Sequence, residues 1–384
     1  MLELGHPWII TDAHTRRWPA GRSGDLVELV DAERRVLATA LLAPGERIVA
    51  RVFGPGKVRL DAQWLTGRLE QALELRRRHV ELGDTTAFRL INGEGDGLPG
   101  VTADRYGEHL MVQLFTEAWR PHLPLLVRAL QELFTPAGIY EKFRPQQTRE
   151  LEAQSRKFSR LLAGKPAPER LVVRENGLEF LVDLERGLDT GLFLDQRRNR
   201  RELSSRLNGK SFLNLFSYTG AFSVAAAAAG AERIVSIDVS PAYQEWAREN
   251  FRRNGFDPER YEFPVADCFT ALPQWPKRER FDVILMDPPS FSTTGKSRFT
   301  TRGGTAELVA QALPLLAPGG LLVTASNHQK VDIDEYLKEL RRGALRAGQE
   351  LRVIHLAGQP EDFPFPVTFP EGRYLKFVIA VKSS

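Results

Sequence analysis

Phe281-Asp-Val-Ile-Leu-Met-Asp287-Pro288-Pro289-Ser-Phe291 is the stretch on which the fold of this 384-residue chain turns. The apolar run from Phe281 to Met286 predicts a buried strand, and an acid followed by two prolines predicts its abrupt end. In open α/β sheets, ligands lie at the carboxyl ends of the strands, so Asp287 is placed to meet one. Pro288 and Pro289 fix two φ angles and remove two N–H donors. The flanking carbonyls and the Asp287 oxygens can then face a pocket as a rigid row of acceptors, with Phe291 behind them as a stacking surface. Such a site suits a planar ligand bearing amine hydrogens, for example a nucleobase. Asp287, Pro288, Pro289 and Phe291 are the candidate catalytic residues.

Upstream, Lys210-Ser-Phe-Leu-Asn214-Leu-Phe216-Ser217-Tyr218-Thr219-Gly220-Ala-Phe-Ser223 reads as a strand, a tight turn over residues 217–220, and an Ala-rich helix over 224–229. The next strand, Arg233-Ile-Val-Ser-Ile-Asp238, ends in an acid 18 positions after Gly220. That is a βαβ unit with a carboxylate placed to accept hydrogen bonds from ribose hydroxyls. A dinucleotide site would want G-x-G-x-x-G so that backbone can approach a pyrophosphate. Here the turn has one glycine and is built from hydroxyls and aromatics, which points to a nucleoside ligand without phosphates. S-adenosylmethionine meets that requirement. After a helix over 241–254, Tyr261-Glu-Phe-Pro-Val-Ala-Asp267-Cys268 reads as a further strand ending in an acid, suited to the adenine amine. The expected cofactor-binding set is Asn214, Phe216, Ser217, Tyr218, Thr219, Gly220, Asp238, Val239, Ser240, Asp267, Cys268 and Asp287 itself.

Residues 80–384 resemble the large-subunit ribosomal RNA methyltransferases, the family that contains the 5-methylcytosine enzyme methyltransferase I. They resemble still more closely the guanine-N7 half of the fused K/L methyltransferase. The resemblance is carried by Arg89-Leu-Ile-Asn-Gly-Glu-Gly-Asp-Gly-Leu-Pro-Gly100, Asp189-Thr-Gly-Leu-Phe-Leu-Asp-Gln-Arg197, Asn214-Leu-Phe-Ser-Tyr-Thr-Gly220 and Asp287-Pro-Pro-Ser-Phe291. It implies a Rossmann-like class I methyltransferase domain, S-adenosylmethionine as donor and ribosomal RNA as substrate. It also implies that Gln196 and Arg197 close over the cofactor.

One departure bears on the acceptor atom. Methylation at pyrimidine C5 needs a cysteine thiolate to add to the ring, and the 5-methylcytosine members carry it in a Ser-Cys-Ser segment. The equivalent here is Leu321-Leu-Val-Thr-Ala-Ser-Asn327-His328, which has no sulfur. The only cysteine, Cys268, is expected at the adenine end of the pocket, facing the wrong group. Nitrogen is left as the acceptor. Guanine N7 has an in-plane lone pair and needs only proximity and alignment. An exocyclic amine would need Asp287 and a carbonyl to accept its hydrogens. Asn327 in place of the cysteine resembles the N7 half of the fused enzyme.

The N-terminal region reads as a separate unit. Short, largely apolar strands over 24–31, 35–42 and 48–53, separated by turns at Gly45 and Gly54 to Gly56, indicate a small β-barrel that resembles a PUA domain, an RNA-binding module. The expected organisation is a PUA-like barrel over 1–62, a linker helix over 63–79 with Leu65, Leu69 and Leu73 on its packing face, a small α/β region over 80–170 and the methyltransferase domain over 171–384. In the small region, strands are expected at 88–91 and 109–115 and a helix over 119–134. Gly93, Gly95, Gly97 and Gly100 read as a structural connection, because Glu94 and Asp96 would repel phosphate.

A net charge of +4 permits a polyanionic partner without requiring one. Between Glu141 and Arg174 nine basic residues face four acids, and the loop expected over 293–304 adds Lys296, Arg298 and Arg302 as candidate RNA contacts. A single cysteine fits a reducing cytoplasm, the apolar runs are too short to span a bilayer, and no secretion signal is read at the N-terminus. No metal site is read, since a sulfonium is already activated for methyl transfer. A homodimer is left open. Three functions compete: RNA-base methylation, methylation of a glutamine side chain or small molecule, and an idle RNA-binding homologue. The PUA-like barrel and the acids Asp238, Asp267 and Asp287 favour the first.

Overall fold

The computed structural model describes residues 4–142, 158–276, 278–289, 291–293 and 298–383. The chain divides into two compact units. The first holds Met1–Arg174, Val182–Thr190 and Glu361–Gly372. The second holds Glu175–Leu181, Gly191–Pro360 and Arg373–Ser384.

The first unit opens with β1 (Trp8–Ile10), β2 (Leu26–Val30), β3 (Val36–Leu42) and β4 (Ile48–Pro55), paired antiparallel in the order β1-β4-β3-β2. Asp61 starts α1 (Ala62–His79) by accepting the Trp64 N–H at 3.0 Å, the expected chemistry of an N-cap. Leu65 and Leu69 are fully buried in one core with Leu41, Phe53 and Trp119, and Leu73 packs against it, so the predicted stripe is packing surface. A second sheet follows: β5 (Ala87–Asn92), β6 (Val101–Tyr106), β7 (His109–Leu114), β8 (Gly138–Lys142) and β9 (Ser159–Gly164), in that spatial order. β7 and β8 are parallel and are joined through α2 (Leu123–Phe134). The helix expected from residue 119 begins instead as a 3-10 turn, Glu117–His122. Pro121 has no N–H to donate into an α ladder. The glycine connection is structural, as expected: a Cβ at Gly95 would lie 1.9 Å from the Pro364 carbonyl oxygen.

After the hairpin strands β10 (Leu171–Glu175) and β11 (Leu178–Val182), α3 (Arg197–Ser204) leads into the six-stranded sheet of the second unit. Its strands are β12 (Ser211–Leu215), β13 (Arg233–Ile237), β14 (Phe281–Met286), β17 (Leu316–Ser326), β18 (Leu351–Ala357) and β19 (Lys376–Lys382), in the order β13-β12-β14-β17-β19-β18. The first four are parallel and β19 is antiparallel to both neighbours. The helices α4 (Ala221–Ala228), α5 (Pro241–Arg253), α6 (Cys268–Gln274), α7 (Thr301–Ala312) and α8 (Ile333–Arg346) connect them. The core is dense and aliphatic, with Leu213, Leu215, Ile284, Met286 and Leu322 all fully buried. From β12 the chain goes first to one side, to β13, and then to the other, to β14, so the order reverses between β12 and β14. Ligands are expected at such a switch point, beyond the strand ends.

Two local expectations are corrected. Residues 261–267 are not a strand; they make only isolated parallel bridges, Val235 to Glu262 and Asp238 to Val265. Pro264, which lacks an N–H, interrupts the ladder between them. Residues 293–304 are not a single loop. Thr293 ends β15 (Phe291–Thr293), Arg298 opens β16 (Arg298–Thr300), which pairs with it, and Arg302 lies in α7. Lys296, and Arg144, Arg149, Arg156 and Lys157 of the basic run after Lys142, lie outside the described residues.

Candidate active site

The turn after β12 is held in a conformation that most side chains avoid. Phe216, Tyr218 and Gly220 have φ values of 61°, 51° and 76°. Non-glycine residues in that region cost about 1–3 kcal/mol each and persist where their surroundings over-determine them. Those surroundings are visible. Ser217 N–H donates to the Ile237 carbonyl at 2.9 Å and Gly220 N–H to the Ser217 carbonyl at 2.9 Å. Thr219 Oγ1 donates to the Gly191 carbonyl at 2.6 Å, and Asn250 Nδ2 to the Thr219 carbonyl at 2.9 Å. Glycine is required at 220 on two counts, its positive φ and the 2.8 Å that would separate a new Cβ from that of Ala247. Asn214 supports the turn from beneath by donating to Ser223 Oγ at 2.8 Å.

Asp238 faces this turn. Its oxygens accept the Tyr218 N–H at 2.9 Å and the Ser240 N–H at 3.0 Å. Burial raises its pKa above the ordinary carboxylate value, and the N–H groups of Ser240, Tyr218 and Val239 oppose that rise. Tyr218 packs between Phe193 and Tyr243, with ring centroids 5.3 and 4.6 Å away. Val239 and Val265 stand half exposed. Asp267 caps α6 by accepting the Phe269 N–H at 2.8 Å. Ser217 Oγ is buried and has no hydrogen-bond partner among the described residues. A buried hydroxyl of that kind needs an explanation, and a ligand is one.

Cys268 belongs to the core and not to the pocket lining. It is 2% exposed among Leu213, Leu215, Ile237 and Met286. Burial pushes its thiol up to about 12.

Asp287 ends β14 half-buried, with Pro288 buried and Pro289 exposed. Phe291 opens β15. Gln196 Nε2 donates to Asp287 Oδ2 at 3.1 Å, and the Asn199 amide donates to Gln196 Oε1 at 2.7 Å, which fixes the Gln196 amide with its nitrogen towards the acid. Burial, and next the Asp195 carboxylate, push Asp287 up to about 7, against the Gln196 bond and the Arg200 charge. Arg200 is held by a buried pair with Glu175 at 2.6 and 2.7 Å. Arg197 is buried beside Gln196 at the start of α3.

β17 ends alongside. Met286 pairs with Thr324, and Ser326 pairs across to Lys376 at the start of β19. Lys376 Nζ donates to the His328 carbonyl at 2.6 Å and to the Tyr374 carbonyl at 2.8 Å. Tyr374 Oη donates to Asp195 Oδ2 at 2.7 Å. Asp195, Asn199, Arg200, Tyr374 and Lys376 were not singled out from the sequence. Asp195 lies inside the Asp189 to Arg197 motif and could have been. Nothing local marks Tyr374 or Lys376.

The profile described as S-adenosylmethionine-dependent methyltransferase matches residues 88–370, and a PUA-like domain profile matches residues 1–54. The chain is 35% identical over 378 residues to "Ribosomal RNA large subunit methyltransferase I" of Cronobacter sakazakii, covering 97% of this chain and 94% of that one. Among solved structures it resembles a protein described as a methyltransferase, complexed with SAH, at 29% identity and a TM-score of 0.89, covering 99% of this chain and 96% of that one. A protein described as a SAM-dependent methyltransferase from Streptococcus mutans matches at 28% identity and a TM-score of 0.86, with the same coverage.

Proposed function

The chain belongs to the S-adenosylmethionine-dependent methyltransferases, and from that premise we propose that it methylates a base of large-subunit ribosomal RNA, at guanine N7. The substrate class is supported by the names of the relatives and by the PUA-like domain. The choice of acceptor rests on Cys268. It is the only cysteine in the chain, and it is buried with its thiol at about 12. C5 chemistry would require a reachable thiolate. An N-methylated exocyclic amine is the second reading, favoured by the acceptor row of Asp287 and Pro288.

The donor fits the turn residues. Asp238 offers a carboxylate to ribose hydroxyls, Ser217 Oγ is a buried hydroxyl awaiting a partner, and Tyr218, Val239 and Val265 supply apolar surface. Phe216, Thr219, Gly220 and Asn214 hold the turn, Ser240 orients Asp238, and the Asp267 carboxylate and Cys268 backbone lie towards the adenine. Gln196 and Arg197 close the site from α3. When bound, the cofactor supplies a methyl group on a positively charged sulfur. Asp287 grips the base through its N–H groups, Pro288 and Pro289 keep that acceptor row rigid, and Phe291 stacks on the ring. N7 carries its lone pair in the ring plane, so alignment alone lowers the barrier.

Asp238→Ala should weaken S-adenosylhomocysteine binding by about 1–3 kcal/mol, because its buried partners lose their acceptor; calorimetry with wild-type affinity would remove Asp238 from the site. Cys268→Ala should keep most activity, and digestion of the RNA followed by mass spectrometry should yield 7-methylguanine. Recovery of 5-methylcytosine would overturn the acceptor assignment. Neutralising Lys296, Arg298 and Arg302 together should reduce the salt slope of RNA binding by at most about three units. An unchanged slope would place the phosphate contacts elsewhere.

A further inference from the structure

Lys376 is buried, yet its ammonium serves the edge of the sheet where ligands are expected. It opens β19, which runs antiparallel to β17, so it sits beside the carboxyl end of β17 with Ser326 as its ladder partner. Nζ donates to the His328 carbonyl at 2.6 Å and to the Tyr374 carbonyl at 2.8 Å. The His328 carbonyl also accepts the Val331 N–H at 3.1 Å, which closes a turn. At the near end of the same segment, Tyr336 Oη donates to the Ala325 carbonyl at 3.1 Å. Ser326-Asn327-His328 is thus clamped on both sides, with Asn327 exposed between the clamps. β14 has β12 on one side and β17 on the other. In the reading above, β12 leads into the cofactor turn, so the acceptor belongs on the β17 side of Asp287. There Met286 lies opposite Thr324, about 4.8 Å away across the ladder. The clamped segment begins two residues further on.

We propose that Lys376 is a positioning residue for methyl transfer, holding Ser326-Asn327-His328 through the His328 carbonyl as the wall against which the acceptor base is aligned. The inference rests on the proposed base-methylating site and adds to it a residue that touches neither substrate nor cofactor. A segment fixed by a charge-assisted bond keeps its place better than one fixed by a neutral bond, and alignment within about 1 Å decides the rate. Both Nζ partners are neutral carbonyls. Burial and the Arg373 charge bring the Lys376 pKa down to about 8, against the Asp332 carboxylate. On the segments that it bonds, the other titratable groups are the His328 ring, Lys330 and the Tyr374 phenol. Lys382, at the far end of the same strand, bonds the Leu313 and Leu316 carbonyls at 2.9 and 2.7 Å, remote from the carboxyl edge. The two lysines share one chemistry and differ in place, so Lys382 is the control.

The test uses the full-length protein, S-adenosylmethionine and unmodified large-subunit ribosomal RNA transcribed in vitro. Lys376→Met should lower kcat/KM roughly ten- to hundred-fold, mostly in kcat, as misalignment does. S-adenosylhomocysteine affinity by calorimetry should stay at the wild-type value, which also shows that the variant is folded. Wild-type activity should fall above about pH 8 towards the Lys376→Met level, because the neutral amine is the weaker donor. Lys376→Arg keeps its charge throughout that range, so it should retain part of the activity and lack the fall. Lys382→Met should leave both the rate and the fall in place. Wild-type kcat/KM in Lys376→Met overturns the inference, and cofactor affinity that drops with the rate overturns it as well. So does an alkaline fall that persists in Lys376→Arg, or an equal rate loss in Lys382→Met, which would make the packing of β19 the cause. Wild-type protein that leaves this RNA unmethylated overturns the substrate reading, and the inference with it.

Discussion

Asp287→Asn is expected to lower kcat/KM for methyl transfer by about 100-fold or more, with little change in S-adenosylhomocysteine affinity. In the proposed reading the carboxylate is the acceptor that orients the base, and a misplacement of about 1 Å costs on the order of 100-fold. The wild-type enzyme should also show an acid limb near pH 7, where Asp287 titrates. Below that pH the carboxyl carries a proton, presents a donor where the base needs an acceptor, and activity falls about tenfold per pH unit. The asparagine variant should lack the limb. Stability should move the other way. The folded pKa lies above the ordinary value of 3.8, so the folded protein disfavours the ionised form. That cost is absent well below pH 3.8, grows as pH rises and is complete above about pH 7. Asp287→Asn should therefore unfold at a higher temperature than wild type at pH 8, with no difference at strongly acid pH. A variant with wild-type kcat/KM at pH 8 would take Asp287 out of the mechanism.

The second large effect is expected in the first unit. Arg76 is completely buried and its guanidinium is fully used: it donates to both Asp96 oxygens at 2.5 and 2.8 Å, to the Asp362 carbonyl at 2.7 Å, and to the carbonyls of Arg89 and Ala72 at 3.1 and 3.2 Å. Asp96 in turn accepts the Asn92 N–H at 2.6 Å, and the Asp362 side chain accepts the Arg89 N–H at 2.8 Å. Removing one partner of such a pair strands a buried charge and costs about 3–5 kcal/mol. Arg76→Ala should reduce the unfolding free energy of the transition that involves this unit by that amount, read as a lower urea midpoint. Arg76→Lys should rescue little, because an ammonium cannot reproduce five planar donors. Arg76→Met combined with Asp96→Leu should recover much of the loss, since the uncompensated charge is then gone. A single Arg76→Ala variant within 1 kcal/mol of wild type would show that water reaches Asp96.

The pocket's wall was legible in the sequence where chemistry and chain position coincide. A strand ending in Asp287, a one-glycine turn before Ala221 and a strand ending in Asp238 are each written within about ten consecutive residues, and period and punctuation are local signals. The residues that complete the site are not local. Tyr374 reaches Asp195 across 179 positions. The same holds for the first unit's buried network, outside the site, where Arg76 reaches Asp362 across 286.

By itself, the sequence determined the α/β class, the order of turn and acids along the methyltransferase sheet, the cofactor class and the lack of a cysteine in the segment after β17. All of these follow from residue type at fixed spacing. Tertiary structure alone decided that Cys268 packs into the core, because burial depends on what distant strands bring against it. The interruption of residues 261–267 was also written in the sequence, since a ladder needs an N–H that Pro264 lacks. Tertiary structure alone set Gln196 against Asp287 and Tyr374 against Asp195, because side-chain hydrogen bonds between remote segments form only after the sheet has fixed both ends.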